Sequence, residues 1–308
     1  MMTQAQACAA LRGVFTIQVT PFDREGSLDR DALASAIERA VTHGVDGLLI
    51  GGTYGEFATM TAQERAELFR FVMDVVDRRL PVLLCSADSD VRVVRDLTAL
   101  ASDLGGIPMT TPPYVSEVTD EQVVGFFREI AALSSRGLVI YNAPGVAATL
   151  TASAIERLAE IDGIIGIKQG ELSPATVDVL VGRLKGKIAL LCASDLHMLG
   201  PLAAGFDGLT STNSCALPEL IMESARALLR GDAGRAGDLH RSWYAYRAFA
   251  RRAGQPQTVK AAMAARGWEG GSVRPPLCGL SAEEYTKLTA IVRSVLADVP
   301  SAVRTKAS

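Results

Sequence analysis

Eight short apolar runs, each followed by a helix-length amphipathic segment, constrain this 308-residue chain more than any other feature. The strand-like runs fall at 14–22, 47–52, 81–87, 106–111, 137–143, 163–169, 187–193 and 206–212. The helical patterns between and after them fall at 29–43, 61–79, 91–104, 119–134, 151–161, 174–184, 195–204 and 217–230. Most of the runs are rich in Val, Ile and Leu and do not alternate with polar residues. Parallel strands buried on both faces read this way. Thr61 with Glu64 and Thr119 with Gln122 have capping-box spacing, Pro174 suits a first helical turn, and Gly44, Gly105 and Gly231 fit helix ends.

Eight such units close most naturally into a (β/α)8 TIM barrel, an α/β fold. An open doubly wound sheet is the alternative, but it usually carries a glycine-rich nucleotide loop after its first strand. Here the first strand leads into Thr20-Pro21-Phe22-Asp23. The barrel and its site are expected in 1–230, and a helical extension packed on the barrel in 231–308. The extension's helices are expected at 232–252, 255–265 and 281–296, with a Gly/Pro-rich link through Gly270, Gly271, Pro275 and Pro276 and a frayed tail at 303–308.

Composition narrows the function classes. The charge is -3 with both signs dispersed, so no basic stripe suits nucleic acid. No apolar run reaches membrane-spanning length, and residues 1–12 lack the pattern of a secretory signal. The five cysteines (Cys8, Cys85, Cys192, Cys215 and Cys278) form no CxxC pair, and Cys85 and Cys192 are expected as reduced core residues. His43, His197 and His240 show no metal-ligand spacing, so structural roles are expected. A cytoplasmic enzyme fits these facts.

One residue turns the fold into chemistry. Lys168, in Gly163-Ile164-Ile165-Gly166-Ile167-Lys168-Gln169-Gly170, sits at the C-terminal end of the sixth strand. That is the end of a barrel where active sites form. Burying an ammonium is costly, and a lysine held partly neutral can form a Schiff base with a ketone. A lone lysine here more often caps a strand and pairs with a carboxylate, but other groups converge on the same mouth. Strand two ends in Gly51-Gly52-Thr53-Tyr54-Gly55-Glu56, strand four in Thr111-Pro112-Pro113-Tyr114, strand five in Tyr141-Asn142-Ala143-Pro144, and strand eight in Thr210-Ser211-Thr212-Asn213-Ser214. A carbinolamine needs a proton shuttle to lose water. Tyr141 is the candidate shuttle and Thr53 its relay. The glycines around Thr53 would leave N–H groups free for a carboxylate. Glu56 is expected to bond backbone and fix the turn.

These residues resemble the dihydrodipicolinate synthase / N-acetylneuraminate lyase superfamily. Gly52-Thr53-Tyr54-Gly55-Glu56 with Thr61 and Glu64 is similar to its G-[ST]-[TN]-G-E…[ST]…E segment, Tyr141-Asn142-Ala143-Pro144 to its Y-N-x-P, and Gly166-Ile167-Lys168 to its G-[IV]-K. Val19-Thr20-Pro21-Phe22 with Gly26 and Asp29, and Lys260 through Leu280 with Val273-Arg274-Pro275-Pro276, also fit. The resemblance spans nearly the whole chain. It implies class I aldolase chemistry on pyruvate or another 2-oxo acid, through a covalent lysine imine and without metal or organic cofactor. It also implies a homo-oligomer, a dimer or a tetramer of tight dimers. By the resemblance Lys168 is the Schiff-base lysine and Tyr141 the proton-transfer tyrosine. Thr53 and the Tyr54 amide, in the loop begun by Gly52, would bind the 2-oxo acid carboxylate. Tyr114 would complete a hydroxyl relay in a neighbouring subunit.

Two departures bear on substrate. Family members that condense aspartate semialdehyde carry an arginine two residues after the Y-N-x-P proline; here that position is Val146, and an apolar side chain cannot replace a bidentate guanidinium. Tyr54 puts an aromatic ring where a small polar residue is usual. With Ala58-Thr59-Met60-Thr61, this looks like the hydratase-aldolases of aromatic pyruvates. Thr210 and Ser211 leave a hydroxylated substrate open. The expected reaction is therefore aldol cleavage or condensation of pyruvate with an aldehyde. Dehydration of a 2-oxo-3-deoxy sugar acid and a non-catalytic 2-oxo acid sensor are the alternatives.

Overall fold

Each expected strand forms, and each is shorter than its apolar run. In the computed structural model, which describes residues 6, 9–115 and 117–298, the strands are β1 (Gly13–Ile17), β2 (Gly47–Ile50), β3 (Val82–Cys85), β4 (Ile107–Thr110), β5 (Leu138–Asn142), β6 (Ile164–Gln169), β7 (Ala189–Cys192) and β8 (Gly208–Ser211). All pair in parallel, and β8 returns to β1 to close the barrel. The helices α1 (Arg30–Thr42), α2 (Ala62–Val76), α3 (Val91–Asp103), α4 (Asp120–Ala131), α5 (Ala152–Ala159), α6 (Pro174–Leu184), α7 (Leu199–Ala204) and α8 (Pro218–Leu229) alternate with them. The chain is thus a (β/α)8 barrel. Both capping boxes form, at Thr61/Glu64 and Thr119/Gln122.

Strand side chains sort into two apolar layers. Phe15, Leu49, Leu83, Met109, Val139, Ile165 and Leu191 fill the barrel interior. Val14, Leu48, Leu84, Ile140, Ile167, Leu190 and Leu209 pack under the helices. The non-alternating sequence is the result, since both faces are dry. Gly47 shows how tight the interior is: a Cβ there would lie 2.3 Å from the Phe15 ring.

Three boundaries differ from expectation. β1 stops at Ile17 rather than running on to Phe22. Pro21 lacks an N–H for the ladder, and Phe22 instead bridges to Leu28 and Ser272. The segment 195–204 opens as a 3-10 turn (Asp195–His197) before α7. Pro201 cannot donate back to His197, so the α-helix begins late enough to keep that proline in its first turn. The expected helix 232–252 is two helices, α9 (Ala233–Ser242) and α10 (Tyr244–Ala253), broken at Trp243. The break lets both Trp243 and Tyr246 bury completely.

The extension continues with α11 (Gln257–Ala265) and, after the Gly/Pro link, α12 (Ala282–Asp298). Arg266 ties it to the barrel through Ala216 O and a bidentate pair with Glu219. The tail expected to fray at 303–308 lies outside the described residues, as does Cys8. Cys85, Cys192 and Cys215 are buried free thiols and Cys278 is exposed. No helix among the described residues is long and apolar enough to cross a membrane.

Candidate active site

Lys168 and Tyr141 are register partners on β6 and β5, so their side chains share the barrel interior at the C-terminal mouth. The Lys168 Nζ lies 3.8 Å from the centroid of the Tyr141 ring. Both residues are nearly inaccessible, 4% and 3% exposed. The Tyr141 hydroxyl is 2.8 Å from Thr53 Oγ1. Among the described residues no carboxylate lies within ion-pair distance of Lys168, and no group of three His, Cys, Asp or Glu is placed to hold a metal. The amine is therefore not locked to an acid, and a phenol and a hydroxyl form a chain beside it.

The turn after β2 explains how Thr53 reaches Tyr141. Residues Thr53–Gly55 form a 3-10 turn, with Gly55 N–H on Gly52 O (2.9 Å) and Glu56 N–H on Thr53 O (3.1 Å). Among the described residues the N–H groups of Thr53 and Tyr54 bond to no other residue. Unpaired donors at the start of a helical turn suit an anion. Tyr54 is half-buried, and its ring packs with Val146 against the interior apolar cluster. Burial, with Asp195 and Tyr141 nearby, pushes the Tyr54 phenol above its usual range, so it stays a neutral donor.

The eighth-strand hydroxyls are largely spent. Thr210 is buried and donates to Cys192 O (3.3 Å). Ser211, expected to meet substrate, instead sits on the helix-facing side and donates to Asp195. The reason is register: Leu209 packs under the helices, so Thr210 faces in and Ser211 faces out. Asp195 also accepts from Asn213 N (3.2 Å) and Asn213 Nδ2 (2.9 Å). Burial still pushes its carboxyl up. Asn142 and Gln169 face outward too and bond each other (3.0 Å), bracing the β5 and β6 ends.

Tyr114 stands apart. It is half-buried beyond β4 and, among the described residues, bonds neither Thr53 nor Tyr141. Burial and then Asp88 raise its phenol, while Arg65 pulls the other way. Within one chain the relay ends at Thr53.

Two functional-looking cations escaped the sequence reading as partners. Arg65 is 1% exposed, bonded to Cys85 O (2.7 Å) and Asp88 (3.1 Å), with its guanidinium 5.3 Å from the Phe57 ring centroid. Lys260 pairs with Glu56 at 2.5 Å. Their signal was present. Arg65 falls in register with Leu68, Phe69 and Val72 on the apolar face of α2, and Lys260 lies beside Val259 and Met263 on that of α11. A cation on a buried helical face needs an acid or carbonyl to receive it. Glu56 was expected to bond backbone. It does so at Arg274 N (2.9 Å), far along the chain, and it holds Lys260 as well.

Comparison with known proteins gives the family and the same fold. A model of the dihydrodipicolinate synthetase family matches residues 10–295. A 4-hydroxy-tetrahydrodipicolinate synthase of Synechocystis sp. is 29% identical over 285 residues, which is 92% of this chain and 95% of that protein. Among solved structures, the 4-hydroxy-tetrahydrodipicolinate synthase of Methylacidiphilum fumariolicum SolV superposes with a TM-score of 0.88 at 27% identity, covering 96% of this chain and 99% of that one. A prophage protein of the dihydrodipicolinic acid synthase family from E. coli K12, solved with pyruvate, gives 0.86 at 26%, covering 92% and 98%.

Proposed function

This chain belongs to the dihydrodipicolinate synthetase family, whose members are class I aldolase-type lyases, and from that premise we propose that it joins or cleaves pyruvate and an apolar, aromatic-sized aldehyde through an imine on Lys168. The observation that carries the reading is the chain Lys168–Tyr141–Thr53, an amine 3.8 Å from a phenol ring whose hydroxyl is 2.8 Å from a threonine.

The Lys168 amine attacks C2 of the 2-oxo acid, and one of its protons passes to the carbonyl oxygen. Tyr141 gives its proton to the resulting hydroxyl, water leaves, and the protonated imine forms. The Tyr141 phenolate, held by the Thr53 hydroxyl, takes a proton from C3 and gives the enamine. Its C3 bonds the aldehyde carbon while Tyr141 protonates the aldehyde oxygen, and water hydrolyses the imine to free Lys168, the last proton returning to the phenolate. Cleavage is the same path reversed. The imine is the electron sink, so no metal or organic cofactor is called for. The Thr53 and Tyr54 N–H groups would hold the carboxylate. In a homo-oligomer the partner subunit's Tyr114 would extend the relay.

Two features select the aldehyde. The loop Ala143-Pro144-Gly145-Val146-Ala147-Ala148 offers no cation for a second carboxylate, and Val146 packs with Tyr54 against apolar side chains. Thr210 and Ser211 are engaged by Cys192 O and Asp195, which disfavours a polyhydroxylated sugar acid. The test is borohydride reduction with pyruvate, followed by peptide mapping, then an aldehyde panel scored for pyruvate consumption. An adduct on Lys168 and turnover with benzaldehyde-like but not carboxylate-bearing aldehydes is expected. An adduct elsewhere, or none, refutes the imine; preference for aspartate semialdehyde refutes the specificity.

A further inference from the structure

We propose that Lys260, from the C-terminal extension, is a positioning residue that sets the 2-oxo acid carboxylate site by clamping Glu56. Its ammonium, 4% exposed, draws three separate segments together. It donates to Thr20 O (2.7 Å) beyond β1, to Glu56 Oε1 (2.5 Å) in the turn after β2, and to Ser272 O (2.6 Å) in the Gly/Pro link. The other Glu56 oxygen accepts from Arg274 N (2.9 Å).

The clamp reaches the site through backbone. Glu56 N–H closes the turn on Thr53 O, and Thr20 Oγ1 donates to Gly55 O (2.7 Å). The same Thr20 whose carbonyl receives Lys260 thus also holds the turn. Arg274 secures the turn's far end, donating to Thr59 O (2.9 Å) and to Glu64 (2.6 Å). Between these anchors Glu56 sits at φ 61°. A non-glycine residue keeps a left-handed backbone only where its surroundings impose it. A glycine would take that conformation freely but could not receive Lys260.

Stability alone does not account for the arrangement. A buried ion pair seldom outperforms a well-packed apolar pair of the same volume, and its best-attested use is to fix one geometry. What this pair fixes is the turn carrying the Thr53 hydroxyl and the two free N–H groups. The clamp's bonds end on Thr20 O, Ser272 O, Arg274 N and the Glu56 carboxylate, so it acts on the Thr53 and Tyr54 groups through the turn.

The proposal rests on the 2-oxo acid reading above, and the experiment separates the two. Wild-type trapping with pyruvate and borohydride establishes the imine first. Half-saturating pyruvate is then measured for Lys260→Met, Glu56→Gln and the double variant, with thermal melts of each. Lys260→Met strands a buried carboxylate, so half-saturating pyruvate is expected to rise at least tenfold while trapping at saturation still goes to completion on Lys168. The double variant removes both charges and is expected to recover most of that loss. Should Lys260→Met fail to fold, Glu56→Gln decides, with an expected rise of at least threefold. Unchanged half-saturation in the folded variants, with activity tracking only the folded fraction, would overturn the positioning role and leave the imine reading intact.

Discussion

Replacing Thr53 by valine is the sharpest probe of the hydroxyl chain. Valine keeps the shape and the backbone N–H, and removes only the oxygen 2.8 Å from the Tyr141 hydroxyl. Tyr141 is 3% exposed, so water does not readily take the vacant place. A buried polar group that loses its partner costs about 1–3 kcal/mol, against about 1 kcal/mol for the net worth of a neutral hydrogen bond. At 1.4 kcal/mol per tenfold, the upper part of that range predicts that kcat falls by about 10- to 100-fold. Pyruvate KM should stay within about threefold, because the carboxylate donors are backbone. Tyr141→Phe should cost more, on the order of 10²–10⁴-fold, since it removes the proton donor itself. The two losses must not add: if Thr53 acts through Tyr141, Thr53→Val made on top of Tyr141→Phe should cost less than about threefold. Steady-state pyruvate release for the four proteins of the cycle measures this. An equal loss from Thr53→Val in both backgrounds would show that the threonine does not work through the phenol.

Val146→Arg should lower turnover of apolar aldehydes and bring in carboxylate-bearing ones, because it supplies the missing bidentate group to the mouth; an unchanged aldehyde profile would contradict Val146 as a specificity wall. Burial on its own would raise the Glu219 carboxyl, but the His43 ring, with Nε2 at 3.6 Å, and the Arg266 guanidinium, at 2.7 and 3.0 Å, together hold it down to about 2. A carboxyl lowered by folding stabilises above its ordinary value of 4.5 and loses that contribution as pH falls towards about 2, on the order of 3 kcal/mol at most. Urea midpoints from pH 6 downward should therefore drop more steeply for the wild type than for Arg266→Met, and parallel curves would dismiss the pair as an acid-sensitive link. Gly47→Ala should destabilise by about 2–3 kcal/mol, because the new methyl would stand 2.3 Å from the Phe15 ring; a chemical melt that leaves the midpoint in place would mean the interior can yield there.

The sequence by itself determined the barrel, because eight apolar strands with helical returns have few other ways to bury both faces. It also determined that Lys168, Tyr141 and Thr53 share one mouth, since each stands at the C-terminal end of a strand and barrel topology gathers those ends. The strands are shorter than their apolar runs because buried apolar side chains continue past the strand's end, as Val19 does beyond Ile17. Tertiary structure alone decided the rest. It chose which side of β8 carries Thr210 and which carries Ser211, a one-residue matter of register that a run of hydroxyls does not reveal. It packed Tyr54 and Val146, from the segments after strands two and five, against the same interior cluster. And it joined Glu56 to Lys260 across 204 positions of chain. Helical periodicity can say that an amine is turned inward, but only the packing of the extension on the barrel says which carboxylate it meets.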